Sequence, residues 1–327
     1  ALALGARGRW FKSSRPDHRF LDNNNGCRIM KRLGLWWRAT RPFSLTISTL
    51  PPILGGLIAK MENPELIFNW LYFFLALIGC VVAHVGANMI ADYCDYKKGV
   101  DREGTYGSSG VLIERLMEPK DILKGSIIAY IIATSIGIYL AFSVPNGRFL
   151  IWIILVGGIL GFFYTVGPFS FKYHALGDLA VFVSFGPAMT LGAYYVQAHQ
   201  FSWTPVLYAI PIAFLVDAVL HGNNLRDIKN DIVVNIKTVP ILIGESNSKV
   251  MYHILVLGAY LSVILLIVFN GLPAITLITL LSLPLAIKLI RLVNDKEQVS
   301  ENQFAMIDAA TAQLHSAFGM LFLISLF

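Results

Sequence analysis

The segment DYCDYKKGVD, residues 92–101, places Asp92, Asp95 and Asp101 within ten positions, directly after a long apolar run. Carboxylates are costly in hydrocarbon, by ~2.5 to 3.5 kcal/mol each at a helix centre, so such a cluster at the end of an apolar run points to a task. Steps of three or four residues return to one helix face. His84, Asn88, Asp92 and Asp95 therefore form one stripe, and Asp101 follows a glycine turn. A second stripe lies in HGNNLRDIKND, residues 221–231, where Asn223, Asp227 and Asp231 recur at intervals of four. Carboxylate and amide oxygens are the hard ligands that Mg2+ takes, usually one or two carboxylates together with substrate phosphate. Two opposed stripes could hold a diphosphate between bridging ions, with Asp92, Asp95, Asp227 and Asp231 as the expected metal ligands. Lys97, Lys98, Arg102, Arg226, Lys229 and Lys237 interleave with the acids. Cations beside carboxylates suit a partner anion too large for either stripe alone to neutralise.

Solvated loop charge is the simpler account of Lys120, Lys124, Lys249 and Lys296. It serves the acids less well, because Asp and Glu contribute little to membrane topology and here they fall at matching helical intervals. Asp217 lies deeper in an apolar run, four residues before His221. An intramembrane acid is a functional candidate, and a self-neutralising Asp217–His221 pair is the equal alternative. His84 could orient Asn88 or Asp92, or serve as a structural hydrogen-bonding group. Aromatic rings, whose faces stabilise cations, gather near the stripes, and Tyr164 in FFYTVGP stands out at a helix end.

These residues need long apolar elements to position them, and the composition supplies them. The chain has 327 residues, of which 56% are hydrophobic and only 14% charged. That is too apolar for a soluble domain, where about a quarter of residues are charged. Residues 1–29 carry six Lys or Arg against two Asp, so the formal charge of +6 falls to +2 over the remainder and gives no case for nucleic acid. Cys27, Cys80 and Cys94 are scattered and suggest neither a disulfide framework nor a zinc site. The polar residues 1–29 read as a disordered or non-native extension, with the working protein, a single domain, spanning 30–327.

Nine apolar runs are each long enough to be candidate membrane spans, at about 42–60, 67–91, 123–142, 149–166, 175–196, 205–224, 249–269, 272–293 and 308–327. The expected fold is an all-α polytopic bundle of nine transmembrane helices. Lys and Arg number eighteen in the N-terminal lead and the even-numbered connections, against only Lys60 and Arg148 on the other face. This bias puts the N-terminus and both acidic stripes in the cytoplasm. The expected location is the plasma membrane. Pro42, Pro51, Pro52, Pro205 and Pro211 fall near helix starts or inside helices, as kinks and boundaries that membrane packing tolerates.

The segments ATRPFSLTISTLPPILGG, DYCDYKKGVD, GSSGVLIERLMEP, FFYTVGPFSFKYHALGDLAVFVSFGPAMTLGAYYVQ and NNLRDIKNDIVVNIKTVPILIG together resemble the UbiA superfamily of intramembrane prenyltransferases. The resemblance runs from about Leu35 to Phe327 and is nearest the menaquinone branch, which prenylates 1,4-dihydroxy-2-naphthoate. It implies Mg2+-dependent transfer of a polyprenyl group from its diphosphate to an aromatic acceptor, in contact with membrane lipid. It also implies that Asp95 and Asp101 belong to a first acidic motif, with Asp92 beside them, and that Asp227 and Asp231 belong to a second. With Tyr164, those four motif acids are the expected catalytic residues. Lys97, Lys172 and Arg226 match basic positions near the diphosphate, and Arg102, Lys237, Asn223 and Asn224 complete the expected diphosphate set. Two positions depart from the family pattern: Ala91 stands where an asparagine is usual, and Asn235-Ile236 replaces a frequent Gly-Lys. Asn88 is the expected substitute for the first, and the resemblance thereby adds Asn88 and Asp101 to the expected metal ligands.

Within the superfamily the alternative acceptors are 4-hydroxybenzoate, a phenazine, glycerol phosphate or haem. A transporter of an anionic solute is the alternative outside it, although transporters place ligand groups near the midplane, whereas these acids gather at helix ends. A CDP-alcohol phosphotransferase would carry a compact D-G-x-x-A-R signature, which this chain lacks.

Overall fold

The structure, a computed structural model, describes residues 25–327; residues 1–24, most of the extension assigned from sequence, lie outside the described residues. Every regular element among the described residues is a helix, and one isolated bridge joins His174 to Lys237. α1 (Asn25–Ala39) leads through a 3-10 turn at Pro42–Ser44 into α2 (Thr46–Glu62). α3 (Trp70–Lys98) and α4 (Pro119–Ser143) form a long pair, followed by α5 (Phe149–Phe162). α6 (Gly177–Val183) continues through a π-helical turn at Ser184–Ala188, around Pro187, into α7 (Met189–Ala198). The short α8 (Thr204–Tyr208) abuts α9 (Ile210–Val233), and α10 (Val239–Ile243) precedes α11 (Glu245–Asn270). A 3-10 stretch at Ala274–Ser282 runs into α12 (Leu283–Asn294), and α13 (Glu301–Phe304) leads to α14 (Ile307–Ile324).

Helix ends explain where the acids fall. The Asn69 side chain caps α3 by accepting the Tyr72 N–H at 3.0 Å, and Gly99, at φ 70°, ends it in the left-handed conformation that glycine adopts without steric cost. DYCDYKK is therefore a rigid helical turn, not a loop. α9 likewise carries NNLRDIKND on its last turns, beyond its apolar stretch.

α9 sits at the centre, against α11, α14 and α6, while α2 packs on α7 and α14. Leu54, Ile212, Leu215, Val256, Ile307 and Phe318 are fully enclosed there. Two glycines set how closely the helices approach. A Cβ on Gly55 would lie 2.2 Å from the Thr190 carbonyl oxygen of α7, and one on Gly186 would lie 2.4 Å from Ala213 Cβ on α9. Close backbone contact of this kind replaces the hydrophobic drive that helices lack in lipid.

Among the described residues seven helices are long and apolar enough to cross a membrane. They coincide with seven of the nine expected runs. The other two fall on helices of different character: α5 has only 14 residues, short of the ~20 that span hydrocarbon, and α9 carries Asp217, Arg226, Asp227, Lys229 and Asp231 along its 24. Ile128, Phe142, Trp152 and Phe269 point outward, an exterior suited to lipid.

Candidate active site

A continuous cavity of about 370 Å3 lies between α3, α4, α5, the α6–α7 rod and α9. One pole is charged, lined by Arg41, Asn88, Asp95, Asp101, Lys172, Asn224, Asp227 and Asp231, with Tyr164 on its wall. The remainder, reaching Ala76, Leu140 and Val196, is apolar.

The first stripe separates into different roles. Asp92 does not line the cavity. It lies behind it, in contact with the Arg41 guanidinium and the Ser109 hydroxyl, and it accepts the Ser109 N–H at 3.2 Å. The structure thus places this expected metal ligand under Arg41 instead of at the pole, because both its oxygens are already engaged. Asp95 is almost completely buried; it accepts from Lys172 Nζ at 2.6 Å and from the Tyr173 hydroxyl at 2.7 Å. Burial works against the Lys172 ammonium, but the adjacent Asp95 outweighs it and holds the lysine above its ordinary range. Asp101 is also buried, and its Oδ2 has no hydrogen-bond partner. Burial, reinforced by Asp95 and opposed by Lys172 and Arg41, pushes its carboxyl up to about 7. Asn88 and Ala91 both face the cavity. Asn88 donates from Nδ2 to the Thr40 carbonyl at 3.0 Å and to Ser44 Oγ at 3.1 Å, bonds that use only its amide nitrogen.

On α9, Asp227, Asp231, Asn223 and Asn224 all line the pole. Asp227 accepts from Arg226 at 2.7 and 2.9 Å, whereas Asp231 forms no ion pair among the described residues. Of the expected basic residues only Lys172 reaches the cavity. Arg226 turns away and clamps Asn223 Oδ1, Asp227, the Ala305 carbonyl and Asp308. Arg102 ties its own turn to Asn230 through Oδ1 at 3.3 Å. Lys97 and Lys237 are exposed and lie outside the cavity lining. The Lys237 backbone N–H donates to the Tyr173 carbonyl at 3.2 Å, while its side chain is exposed.

Three features were hidden from the sequence. Arg41 belongs to the quoted ATRPFSL segment but counted there only as a topological charge. In the structure it faces the pole in a left-handed conformation, φ 53°, that costs a non-glycine residue ~1–3 kcal/mol and persists where surrounding contacts hold it, here Asp92. The connection after α3 folds over the pole, and Thr105, Tyr106 and Gly107 join the lining. Arg38 Nε anchors it at the Ser109 carbonyl, 2.7 Å away. Finally, Asp217 does not pair with His221. The imidazole spans from Asp178 on α6, at 3.1 Å, to the Ser248 carbonyl on α11, also at 3.1 Å, and Asp217 Oδ1 is left without a partner. His84 contacts Ser48 Oγ at 3.0 Å, the structural role among those considered for it.

These features define a helical membrane protein with an interior cavity that is charged at one pole and apolar over the remainder. The model of the UbiA prenyltransferase family matches residues 49–317, and the chain belongs to that family of integral membrane enzymes. It is 31% identical over 284 residues to UbiA prenyltransferase domain-containing protein 1 of Xenopus tropicalis, covering 87% of this chain and 79% of that one. It is 30% identical over 290 residues to 1,4-dihydroxy-2-naphthoate octaprenyltransferase of Bacillus subtilis, covering 89% and 91%. Its fold is similar to that of a UbiA homolog from Archaeoglobus fulgidus bound to GPP and Mg2+, with a TM-score of 0.58 and 15% identity over 88% of this chain and 99% of that one.

Proposed function

We propose that the chain transfers a polyprenyl group from a polyprenyl diphosphate to 1,4-dihydroxy-2-naphthoate, with Mg2+ at the charged pole. The observation that carries this reading is the single cavity joining an acid-and-base pole to an apolar arm, which suits a diphosphate head and a prenyl tail. The GPP and Mg2+ held by the Archaeoglobus homolog on the same fold support the donor and the ion, and the Bacillus relative supports the acceptor.

The residues fit a divalent cation. Asp101 offers a buried, unpartnered oxygen, Asp231 is free of ion pairs among the described residues, and the Asn88 amide oxygen is at the same pole. Among the described residues no three His, Cys, Asp or Glu are gathered as a ready-made cage. This suits an ion that completes its shell with phosphate oxygens and water. Asp101 and Asp231, with Asn88, would hold it; Asp227, engaged at both oxygens by Arg226, stands beside them, and Asp92 and Asp95 act through Arg41 and Lys172.

When bound, Mg2+ neutralises diphosphate oxygens as the allylic C–O bond ionises. Lys172 and Arg41, each fixed on a carboxylate, direct positive charge at the same place and need no reorganisation as the diphosphate departs with the bonding electron pair. Tyr164 presents a ring on the wall along which the allylic cation forms. The connection carrying Tyr106 and Gly107 keeps water from that cation. The acceptor carbon bearing the carboxylate bonds to the prenyl carbon, and carbon dioxide leaves, returning its bonding pair to the ring. In this reading α5 and α9 complete a nine-span bundle in the plasma membrane, with the charged pole and N-terminus cytoplasmic.

The test is incubation of purified protein with Mg2+, a prenyl diphosphate and each candidate acceptor, followed by mass spectrometry. A prenylated naphthoquinol lighter by carbon dioxide is expected. Product from 4-hydroxybenzoate but none from the naphthoate overturns the acceptor, and uptake of an anion into proteoliposomes without any prenylated product overturns the enzyme class.

A further inference from the structure

We propose that α1 is an interfacial helix: its outward apolar face sits in the headgroup layer of a bilayer containing anionic lipid, and its Arg38 ties that surface to the connection over the charged pole. The docking needs only the membrane fold; its effect on the site rests on the transfer reaction proposed above. At about 100° per residue, Met30, Leu33 and Trp37 fall within an arc of about 60° on α1. These three side chains are 68%, 62% and 60% exposed. Leu35 and Ala39 lie on the opposite side of the helix. Ala39, with Trp36 beside it, packs into the cluster of Met89, Val111, Leu112 and Ile122, which leaves the apolar arc turned away from the bundle.

The level of α1 along the bundle identifies what covers that arc. Trp36 seats on Gly125 of α4, where a Cβ would lie 2.5 Å from its ring. Lys124 is the last charged residue of α4, and Ile127, Ile128 and Ile131 are exposed just beyond it. α1 therefore meets α4 where a charged exterior gives way to an apolar one, the depth at which amphipathic helices and Trp side chains lie in a bilayer. A crevice of about 180 Å3 beside α1 is lined by Arg32, Arg115, Glu118 and Asp121. Lys31, Lys120 and Lys124 are exposed around it, so cations outnumber acids at this surface and attract anionic headgroups.

Arg38 joins this surface to the site. Its Nε donates to the Ser109 carbonyl at 2.7 Å, and its guanidinium pairs with Glu114. Those residues continue the connection whose Thr105, Tyr106 and Gly107 line the pole. Ser109 also donates its N–H to Asp92, the partner of Arg41. A displacement of α1 thus reaches the covering connection and Arg41 together.

The experiment places the full chain in nanodiscs of phosphatidylcholine, alone or mixed with phosphatidylglycerol, and follows hydrogen exchange over residues 30–39 and prenyl transfer in parallel. Exchange is expected to be slower by about tenfold in the anionic discs than in detergent. Leu33→Asp and Lys31→Glu, both at exposed side chains, are each expected to lose most of that protection, and either variant alone tests the docking. In anionic discs Leu33→Asp is expected to lower kcat/KM by about three- to tenfold, while in detergent it transfers as the native chain does. Equal exchange in anionic discs, neutral discs and detergent overturns the docking, and equal protection in the two disc types overturns the part played by anionic charge. Protection that persists in detergent and is lost on removal of residues 1–24 gives the face to those residues; protection that needs two copies per disc gives it to a second chain. Either result overturns the proposal. Docking with transfer unchanged in Leu33→Asp overturns the link through Arg38. No transfer by the native chain in any lipid overturns the reaction, while the exchange data still decide the docking.

Discussion

Asp92 and Asp231 each belong to a stripe of Asn and Asp residues at the end of a long helix, and the fold treats them in opposite ways. Asp92 is enclosed behind the cavity by Arg41 and Ser109, and its neighbour Asp95 is held by Lys172 and Tyr173. Asp231 faces the cavity without an ion pair among the described residues, and Asp101 joins it there with an oxygen that has no hydrogen-bond partner. Asp92 and Asp95 on α3 hold Arg41 and Lys172, while the acids left uncommitted are the ones that, in the proposed reading, would meet an incoming ion. Helical spacing is identical in the two cases, so spacing alone does not separate a ligand from a support.

The comparison breaks first at Lys172. Lys172→Met leaves Asp95 buried without its charge partner and is expected to cost ~3–5 kcal/mol, read as a lowered unfolding temperature in detergent; Asp95→Asn on that background should recover part of the loss. If the single variant is as stable as the native chain, Asp95 is not committed to this pair. Asp231→Asn and Asp101→Asn come next, each lowering Mg2+-dependent prenyl transfer by about 10²–10³-fold with the unfolding temperature held. Retained transfer in both would place the ion elsewhere. Asp92→Asn, which keeps a hydrogen bond but loses the charge under Arg41, is expected to destabilise by ~1.5–3 kcal/mol and to lower transfer less than Asp231→Asn does. The reverse order of activity would make Asp92 a ligand after all.

A further effect concerns pH. The Asp101 carboxyl rises from 3.8 to about 7 in the folded chain, so the folded state binds that proton more tightly than the unfolded state. Its contribution to stability is therefore present at low pH and is lost as the pH climbs from about 4 to about 7. Unfolding temperature measured across this range should decline less in Asp101→Asn than in the native chain. Added Mg2+, which binds the deprotonated carboxylate, should offset the native decline.

Much of this was legible in the residues. Apolar length located the long helices, and the steps of three and four put Asn88, Asp95, Asn223, Asp227 and Asp231 at one pole, because helical period and span length are local properties. Apolar length also counted α5 and α9 among nine spans, whereas in the structure one is too short and the other carries charges along its length. The acidic motifs also named the family, which the match over residues 49–317 bears out.

Partnership was not legible. Lys172 meets Asp95 across 77 positions, Arg41 meets Asp92 across 51, and His221 meets Asp178 across 43 instead of Asp217 four residues away. Each of these contacts depends on where an irregular segment delivers its side chain: the left-handed turn at Arg41, the 3-10 turn at Phe171–Tyr173, and the start of α6 after it. The sequence by itself determined a membrane bundle with two acid-bearing helix ends, through hydrophobic length and helical period. Tertiary structure alone decided which acids are neutralised and which remain open, because long-range pairing follows from the path of the connections.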